Sequence, residues 1–270
     1  MRSERLSRGG RPTRSHVTGG AGGGGGGASY TATGVFSQAI MDLSPVGYWP
    51  LNDYFVDAAV AQDWSGNGED GAVGSVMQAN GSQLGGDGER YRIIQNQSTL
   101  DTGKILIPNT GGRYSSAATG SPISVAFLFW PASVNNNFNG LLAGTSGDWT
   151  AMHFQGRPIF GTVKPNGDTL RRRISDSNEI TAAQWNLYTA TLAGGDLIPD
   201  LDINDGGITT STTNNLGFYS YASTHIRIGG GAGGYNAGSP SAMAHVAIFD
   251  KVLSGAEITG LHTAMTTDGW

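Results

Sequence analysis

Short runs of aliphatic, aromatic and β-branched residues recur along the chain, and clusters of Gly, Asn, Asp, Pro and Ser separate them. Runs of this length between turn residues are typical of strands in all-β proteins. The predicted strands cover residues 46–51, 91–95, 104–107, 123–130, 149–154, 158–163, 170–174, 185–192, 200–203, 225–228 and 243–249. The pattern predicts an all-β fold, a two-sheet antiparallel jelly-roll sandwich, because each half-apolar strand needs a second sheet to cover it.

Two of these runs, 123–130 and 243–249, are apolar on both faces and are predicted to be central strands. Their neighbours, including 185–192, are more amphipathic, and we expect them to be half exposed. In 200–203, Asp200 and Asp202 share one face, which predicts an edge strand with a polar outer side.

Helical patterns stand near both ends of the sandwich. Residues 35–43 predict one or two helical turns, ended before Pro45. Near the C-terminus, Ser254 and Glu257 have the spacing of a capping box, with Leu253 and Ile258 as a hydrophobic staple. The sequence therefore predicts a short C-terminal helix.

Four segments in order carry a family resemblance. The strand 243–249, followed by Leu-Ser-Gly-Ala-Glu-Ile at 253–258, resembles the closing segment of laminin-G-like domains in the concanavalin A-like lectin/glucanase superfamily. Residues 44–53 (SPVGYWPLND) and 63–71 (DWSGNGEDG) are similar to two early motifs of that family, and 123–130 with 185–192 stand where its middle strands do. The resemblance implies a lectin-like jelly roll, a fold that also occurs in bacteriophage fibres and decoration proteins.

One departure from the family pattern concerns residues 244 and 245. Relatives commonly carry an acidic pair just before this Val-Ala-Ile strand, whereas this chain has Ala244–His245. Any ligand or metal role of those carboxylates is not carried over.

Composition favours one large β domain and an arm. The chain has 270 residues with 44 glycines, 14% charged residues and no cysteine, which excludes disulfides, thiolate metal sites and thiol nucleophiles. It has no apolar run of the roughly 18 residues that a membrane span needs, and no apolar core of a secretory signal is expected at its start. The predicted division is an arm over 1–30 and a domain over 31–270.

The predicted arm is basic and rich in glycine. Its charge is +4 against −9 for the rest of the chain, and six glycines stand at 22–27. We expect the arm to anchor the protein to other proteins of a larger assembly. One alternative is a solvated tail. The other is nonspecific contact with nucleic acid, since the arm has no aromatic residue before Tyr30 on which a base could stack. The arginines are Arg2, Arg5, Arg8, Arg11 and Arg14.

The acidic residues of the sequence do not form a recognisable catalytic set. The closely spaced Glu-x-Asp-x-x-Glu set that marks the glucanases of the superfamily is missing, so we expect no enzymatic activity. The resemblance admits calcium, with Asp63, Asn67 and Asp70 as suppliers; the alternative is that Asp63 and Asn67 cap Asx turns. No cofactor is otherwise expected, and the five histidines do not have ligand spacing on one element.

Sugar binding needs an aromatic platform beside amide or carboxyl groups. The predicted carbohydrate-binding residues, for each of which core packing is the alternative, are Asp148, Trp149, Tyr219, Tyr221, Tyr235 and Asn236. Arg171–Arg173 predict a solvated or partner-facing edge.

The leading hypothesis is a non-enzymatic virion structural protein, a capsid or tail decoration or fibre. It would display a lectin-like jelly roll for particle stabilisation or adhesion to host glycans, held by its N-terminal arm. Alternatives are a free carbohydrate-binding lectin, extracellular or cytoplasmic, and, with less support, a polysaccharide hydrolase. A homo-oligomer is compatible with all three, although the sequence has no heptad signal.

Overall fold

A computed structural model of the protein describes most of the chain after residue 33. The described residues are 34–52, 59–75, 82–94, 104–114, 121–134, 138–144, 149–162, 171–175, 178–193, 199–206, 225–229 and 241–270. Helix α1 covers Val35–Asp42, helix α2 covers Gly255–Thr267, and a short 3-10 turn covers Thr110–Gly112. The strands are β1 Gly47–Trp49, β2 Val60–Ala61, β3 Gly71–Val73, β4 Ser82–Leu84, β5 Arg90–Ile94, β6 Ile105–Pro108, β7 Ile123–Pro131, β8 Phe138–Ala143, β9 Trp149–Phe154, β10 Arg157–Thr162, β11 Arg171–Ile174, β12 Asn186–Leu192, β13 Asp200–Ile203, β14 His225–Ile228 and β15 Ser241–Phe249.

The strands form two sheets. The first has the order β13-β12-β7-β15-β5-β4, with β1 also paired to β15, and the second has the order β11-β10-β9-β8-β14-β6-β3-β2. The ladders between described strands are antiparallel. The predicted all-β sandwich with a C-terminal helix is therefore confirmed. The predicted arm lies outside the described residues, so the division at residue 30 stays a prediction.

The main core lies between the two sheets. From β7, Val125, Phe127 and Phe129 point into it, and the Phe127 ring stacks on Tyr188 of β12 at a centroid distance of 4.7 Å. Strands β7 and β15 are central and almost wholly buried, as predicted from their continuous apolar character.

The prediction that 185–192 is half exposed is wrong for strand β12, whose seven residues are all buried. The reason is a helical layer on the outer face of the first sheet. Leu187 of β12 belongs to a second apolar cluster that also holds Leu261 of α2 and Phe36 of α1. An amphipathic pattern does not reveal that a helix covers the more polar face.

The helical layer is held by two sets of caps. The predicted capping box is present: the Glu257 amide donates to Ser254 Oγ at 3.3 Å, and the Ser254 amide donates to Glu257 Oε2 at 2.7 Å. At the other end of α2, the Asp268 carboxylate accepts from the amides of Val35 (3.0 Å) and Phe36 (2.7 Å). The residue that directly follows α2 thus caps the first turn of α1.

The strands that contain Asp200 and Arg171 were both predicted to be edge strands. Strand β13 ends the first sheet, with Leu201 and Ile203 buried and Asp200 exposed, as predicted. Asp202 Oδ1 accepts from the Asp205 amide at 2.9 Å and stabilises the turn that follows. Strand β11, which contains Arg171–Arg173, ends the second sheet.

Strands β2, β3, β4 and β8 were not predicted. Three of them have only two or three residues, and glycine lies inside β3 and β8 and directly follows β4, so their local pattern is indistinguishable from a loop. Within the described ranges, neither helix is long and apolar enough to cross a membrane.

Candidate functional site

The predicted calcium residues lie in the loop between β2 and β3, where Asp63 is an internal hydrogen-bond acceptor. Its buried carboxylate accepts from the amides of Tyr48 (3.1 Å), Ser65 (2.9 Å) and Glu69 (3.1 Å), and from Ser65 Oγ (2.9 Å). The bond from the amide two residues later makes an Asx turn. The geometry favours the turn-capping alternative for this residue.

The other two predicted ligands also have structural partners. Asp70 Oδ1 accepts from the Asp63 amide at 2.8 Å, and Asn67 Nδ2 donates to the Val46 carbonyl at 2.9 Å. No group of three or more His, Cys, Asp or Glu side chains within the described ranges is arranged to hold a metal ion. Asp63, Asn67 and Asp70 therefore lie in one loop, where their side chains form hydrogen bonds that hold the loop itself.

Trp149 is the one predicted sugar-binding residue that the structure describes. It is fully buried between the sheets, stacks on Phe160 at 6.0 Å and donates its indole N–H to the Tyr114 carbonyl at 3.0 Å. Its ring presents no face to a sugar, so it fits the core-packing alternative. The other candidates, Asp148, Tyr219, Tyr221, Tyr235 and Asn236, and the arginines Arg2, Arg5, Arg8, Arg11 and Arg14, lie outside the described residues.

A second group of polar side chains is buried under the helical layer and centres on His245. This residue is in strand β15, where the pairing to β7 shifts between Ala244 and Ala247, so that two residues of β15 face one of β7. At this bulge His245 has a φ of +53°, and its amide donates to the Pro50 carbonyl at 3.0 Å. The left-handed conformation is costly for a residue other than glycine and is sustained only by surrounding contacts.

Two tyrosines supply those contacts. His245 Nε2 lies 2.9 Å from the Tyr91 hydroxyl, and its Nδ1 lies 2.7 Å from the Tyr48 hydroxyl. The Ser37 hydroxyl on α1 lies 3.0 Å from the Tyr48 oxygen. At the other end, the Tyr91 hydroxyl donates to Asp87 Oδ2 at 2.5 Å. We call Asp87, Tyr91, His245, Tyr48 and Ser37 the relay.

The relay has a defined direction. An ionised Asp87 can only accept, so the Tyr91 proton is donated to it and the Tyr91 oxygen accepts from His245 Nε2–H. The neutral imidazole then carries no proton on Nδ1, which accepts from Tyr48. The Tyr48 hydroxyl also lies 3.0 Å from Ser37 Oγ, which is itself 3.4 Å from His245 Nδ1. Asp87 thereby assigns the histidine tautomer.

Burial controls the protonation of the relay. His245 is 2% exposed, and its loss of hydration lowers its pKa to about 3. Burial likewise raises the pKa of Tyr48 and of Tyr91 far above the usual range. Partial burial raises the pKa of the Asp87 carboxyl as well, although the residue lies in an exposed turn and the hydrogen bond from Tyr91 opposes the shift. The three inner groups are neutral at physiological pH.

Aromatic rings surround the relay and reach the surface at its Asp87 end. The Trp270 ring lies edge-on to Trp185 at 4.9 Å and to His245 at 5.3 Å, and it lies 5.0 Å from Tyr91. Trp185 and Trp270 are each partly exposed, and the Trp185 N–H donates to the Leu84 carbonyl at 3.1 Å. The Trp270 Nε1 atom is buried without a hydrogen-bond partner.

This group was missed at the sequence level, where His245 was interpreted as a packed or surface residue of a strand and as a departure from the family pattern. The usable signal is a single histidine inside a nine-residue strand of otherwise small or apolar residues, since a buried polar side chain needs partners. Nothing local indicates that those partners are Tyr48 and Tyr91, which are 197 and 154 residues away in sequence.

Solved structures with this fold include receptor-binding domains of bacterial toxins. The binding domain of Paraclostridial Mosquitocidal Protein 1 has a TM-score of 0.56 and 16% identity, over 82% of this chain and 51% of that one. The ligand-binding domain of botulinum neurotoxin serotype D, in complex with N-acetylneuraminic acid, has a TM-score of 0.57 and 16% identity over 83% and 52%. A Trypanosoma rangeli sialidase has a TM-score of 0.51 and 15% identity over 84% and 33%.

These likenesses show a shared β-sandwich fold. The chain spans about half the length of the toxin binding domains and a third of the sialidase. At such low identity the fold does not locate a neighbour's ligand or active site on this chain. No protein-family model matches the chain, and no curated protein does either.

Proposed function

We propose that the chain is a non-enzymatic recognition module that binds saccharides on a host surface and is displayed on a virion. The observation that carries the proposal is the two-sheet lectin-like sandwich shared with the binding domains of two toxins. Fold alone does not assign a function, so saccharide binding rests on this analogy together with the residues predicted from the sequence.

In this proposal the sugar-contacting residues are those predicted from the sequence between strands. Asp148 immediately precedes β9, Tyr219 and Tyr221 precede His225 of β14 by six and four residues, and Tyr235 and Asn236 precede β15.

A glycan array probed with the full chain tests saccharide recognition. We expect binding to defined glycans that Tyr235→Ala or Tyr221→Ala weakens if the loop residues carry it. Wild-type protein that binds no glycan, with or without calcium, would contradict the proposal.

A catalytic alternative has one supporting observation, the sialidase among the similar structures. Most glycosidases use a pair of carboxyls facing one sugar, whereas Asp63 and Asp70 hold the loop between β2 and β3. Asp200 and Asp202 lie on the outer side of an edge strand. Sialidases use a tyrosine nucleophile instead, so the positions of these carboxyls argue against a polysaccharide hydrolase and not against a sialidase. Release of reducing ends from a polysaccharide panel, or of 4-methylumbelliferone from its sialoside, would establish an enzyme.

Display on a virion is supported by the charge of residues 1–30, which include five arginines, whereas the rest of the chain is acidic. In this proposal the arm binds other virion proteins, and the body stabilises the particle or contacts the host. Replacing Arg2, Arg5, Arg8, Arg11 and Arg14 with Gln should remove the protein from particles and leave its unfolding midpoint unchanged. Equal occupancy on particles would refute the anchor.

A further inference from the structure

We propose that Asp87, Trp185, Trp270 and Leu84 form a binding surface for a neutral saccharide at the outer face of the first sheet. We call these residues the Asp87–Trp185 surface. The inference rests on the proposed saccharide recognition and gives it a location among described residues that the sequence did not suggest.

The aromatic part of the surface is a pair of tryptophans. Trp185 and Trp270 are partly exposed and lie edge-on to each other at 4.9 Å, and Leu84 beside them is 51% exposed. Tryptophan pairs of this kind offer the apolar surface on which the C–H face of a sugar ring packs. A single exposed Leu would need no explanation, but Leu84 extends an aromatic surface.

The polar part is the Asp87 carboxylate in the turn between β4 and β5. Each of its oxygens accepts one hydrogen bond from within the protein, Oδ1 from the Glu89 amide at 2.9 Å and Oδ2 from Tyr91 at 2.5 Å. A carboxylate has about four acceptor positions, so about two remain for hydroxyl donors outside. The turn leaves room for them, since a Cβ at Gly88 would meet nothing within 4 Å.

The acceptor and the platform are rigidly joined. Tyr91 contacts both, because its hydroxyl holds Asp87 while its ring lies 5.0 Å from Trp270 and 5.9 Å from Trp185. The β4–β5 hairpin also packs closely against the residues that follow α2, since a Cβ on Gly86 would lie 2.3 Å from the backbone of Gly269. A binding site needs this kind of support from buried neighbours.

The fixed orientation of Asp87 favours a saccharide over a cation. A cationic ligand needs only a negative charge nearby, whereas a hydroxyl needs an acceptor with a set direction. The relay provides that direction. Two charges that act on Asp87, those of Glu89 and Asp268, are also negative and disfavour an acidic sugar.

The test uses the full chain and ligand-observed NMR with maltose, lactose, chitobiose and 3′-sialyllactose. We expect wild-type protein to bind at least one of the three neutral sugars in preference to 3′-sialyllactose, with little dependence on salt. Trp185→Ala and Asp87→Asn should each weaken that binding by about tenfold, which corresponds to the loss of one good contact. Trp64→Ala is the matched control, since Trp64 packs on the same apolar cluster but next to Tyr48.

The outcomes separate the two proposals. Sugar binding that survives both Trp185→Ala and Asp87→Asn, and is lost in Tyr235→Ala, would overturn the location and leave the proposed function intact. Wild-type protein that binds none of the four sugars would overturn the neutral-saccharide surface, whereas the proposed function is decided separately by the glycan array. Binding that needs Trp185 but prefers 3′-sialyllactose, or that disappears at high salt, would overturn the neutral saccharide as ligand. Asp87→Asn keeps an acceptor for Tyr91, so it tests the surface even if Trp185→Ala fails to fold.

Discussion

His245 Nε2 lies 2.9 Å from the hydroxyl oxygen of Tyr91, and this contact joins a bulge in the central strand β15 to the β4–β5 hairpin. The contact is buried, and the histidine has a left-handed backbone. Its partner hydroxyl also holds Asp87, so one tyrosine serves both the bulge and the surface turn.

Tyr91→Phe should lower the free energy of unfolding by about 2 kcal/mol, because it leaves the His245 N–H buried without an acceptor. Urea unfolding at pH 7 measures the change. Tyr114→Phe is the control: that hydroxyl is also buried, but the Val46 carbonyl it contacts accepts from Asn67 as well. Equal losses in the two variants would argue against a special role for the relay.

Stability should fall with acidification below pH 6.5. Burial lowers the pKa of His245 to about 3 and that of His153 to about 4, whereas both are near 6.5 in the unfolded chain. The unfolded state therefore binds protons that the folded state does not. The stability is fully present above pH 6.5 and decreases toward the folded pKa values, by about 1.4 kcal/mol per pH unit for each histidine. Urea midpoints at pH 7, 6, 5 and 4.5 check this, and a flat profile would contradict it.

His153→Leu should stabilise the protein by about 1 kcal/mol at pH 7. The His153 ring stacks on Phe129 in the main core, and its Nδ1 is buried without a hydrogen-bond partner, which is unfavourable. The variant should also have a shallower acid profile, since one buried histidine is gone. His153→Gln keeps a polar group and should give no gain; a gain there would point to strain instead of the unpaired nitrogen.

Asp63→Asn should destabilise the loop between β2 and β3 by about 1–2 kcal/mol, since an amide nitrogen replaces an oxygen that accepts from a backbone amide. Thermal unfolding with calcium and with EDTA should give the same loss. Asp70→Asn keeps its acceptor for the Asp63 amide and should be nearly neutral. A calcium-dependent midpoint that Asp63→Asn abolishes would restore the metal interpretation.

Asp268→Ala should release the first turn of α1, because it removes the acceptor of the Val35 and Phe36 amides. Loss of a helix cap costs about 1 kcal/mol. Hydrogen exchange should rise in α1 and leave β7 unchanged. Ser254→Ala removes the other cap and should instead raise exchange at the start of α2.

Part of the candidate surface could have been predicted. Trp185 was predicted to begin a half-exposed strand, and no pattern in the sequence joined it to Trp270. Conversely, Trp149 had a suitable loop setting and proved to be core. Periodicity reports which residues share a face of one element, and it carries no information on which element covers that face.

The sequence by itself determined eleven of the fifteen described strands, the sandwich, both central strands and the capped C-terminal helix. The helix cap depends on residues close together along the chain. The central strands depend on continuous apolar runs, which are stable only where both faces of the strand are covered. Only the tertiary structure decided that helices cover the outer face of the first sheet and bury β12. It also decided that His245, Tyr48, Tyr91 and Asp87 meet there. Hydrogen bonds between residues more than 150 positions apart depend on strand order, which local patterns do not encode.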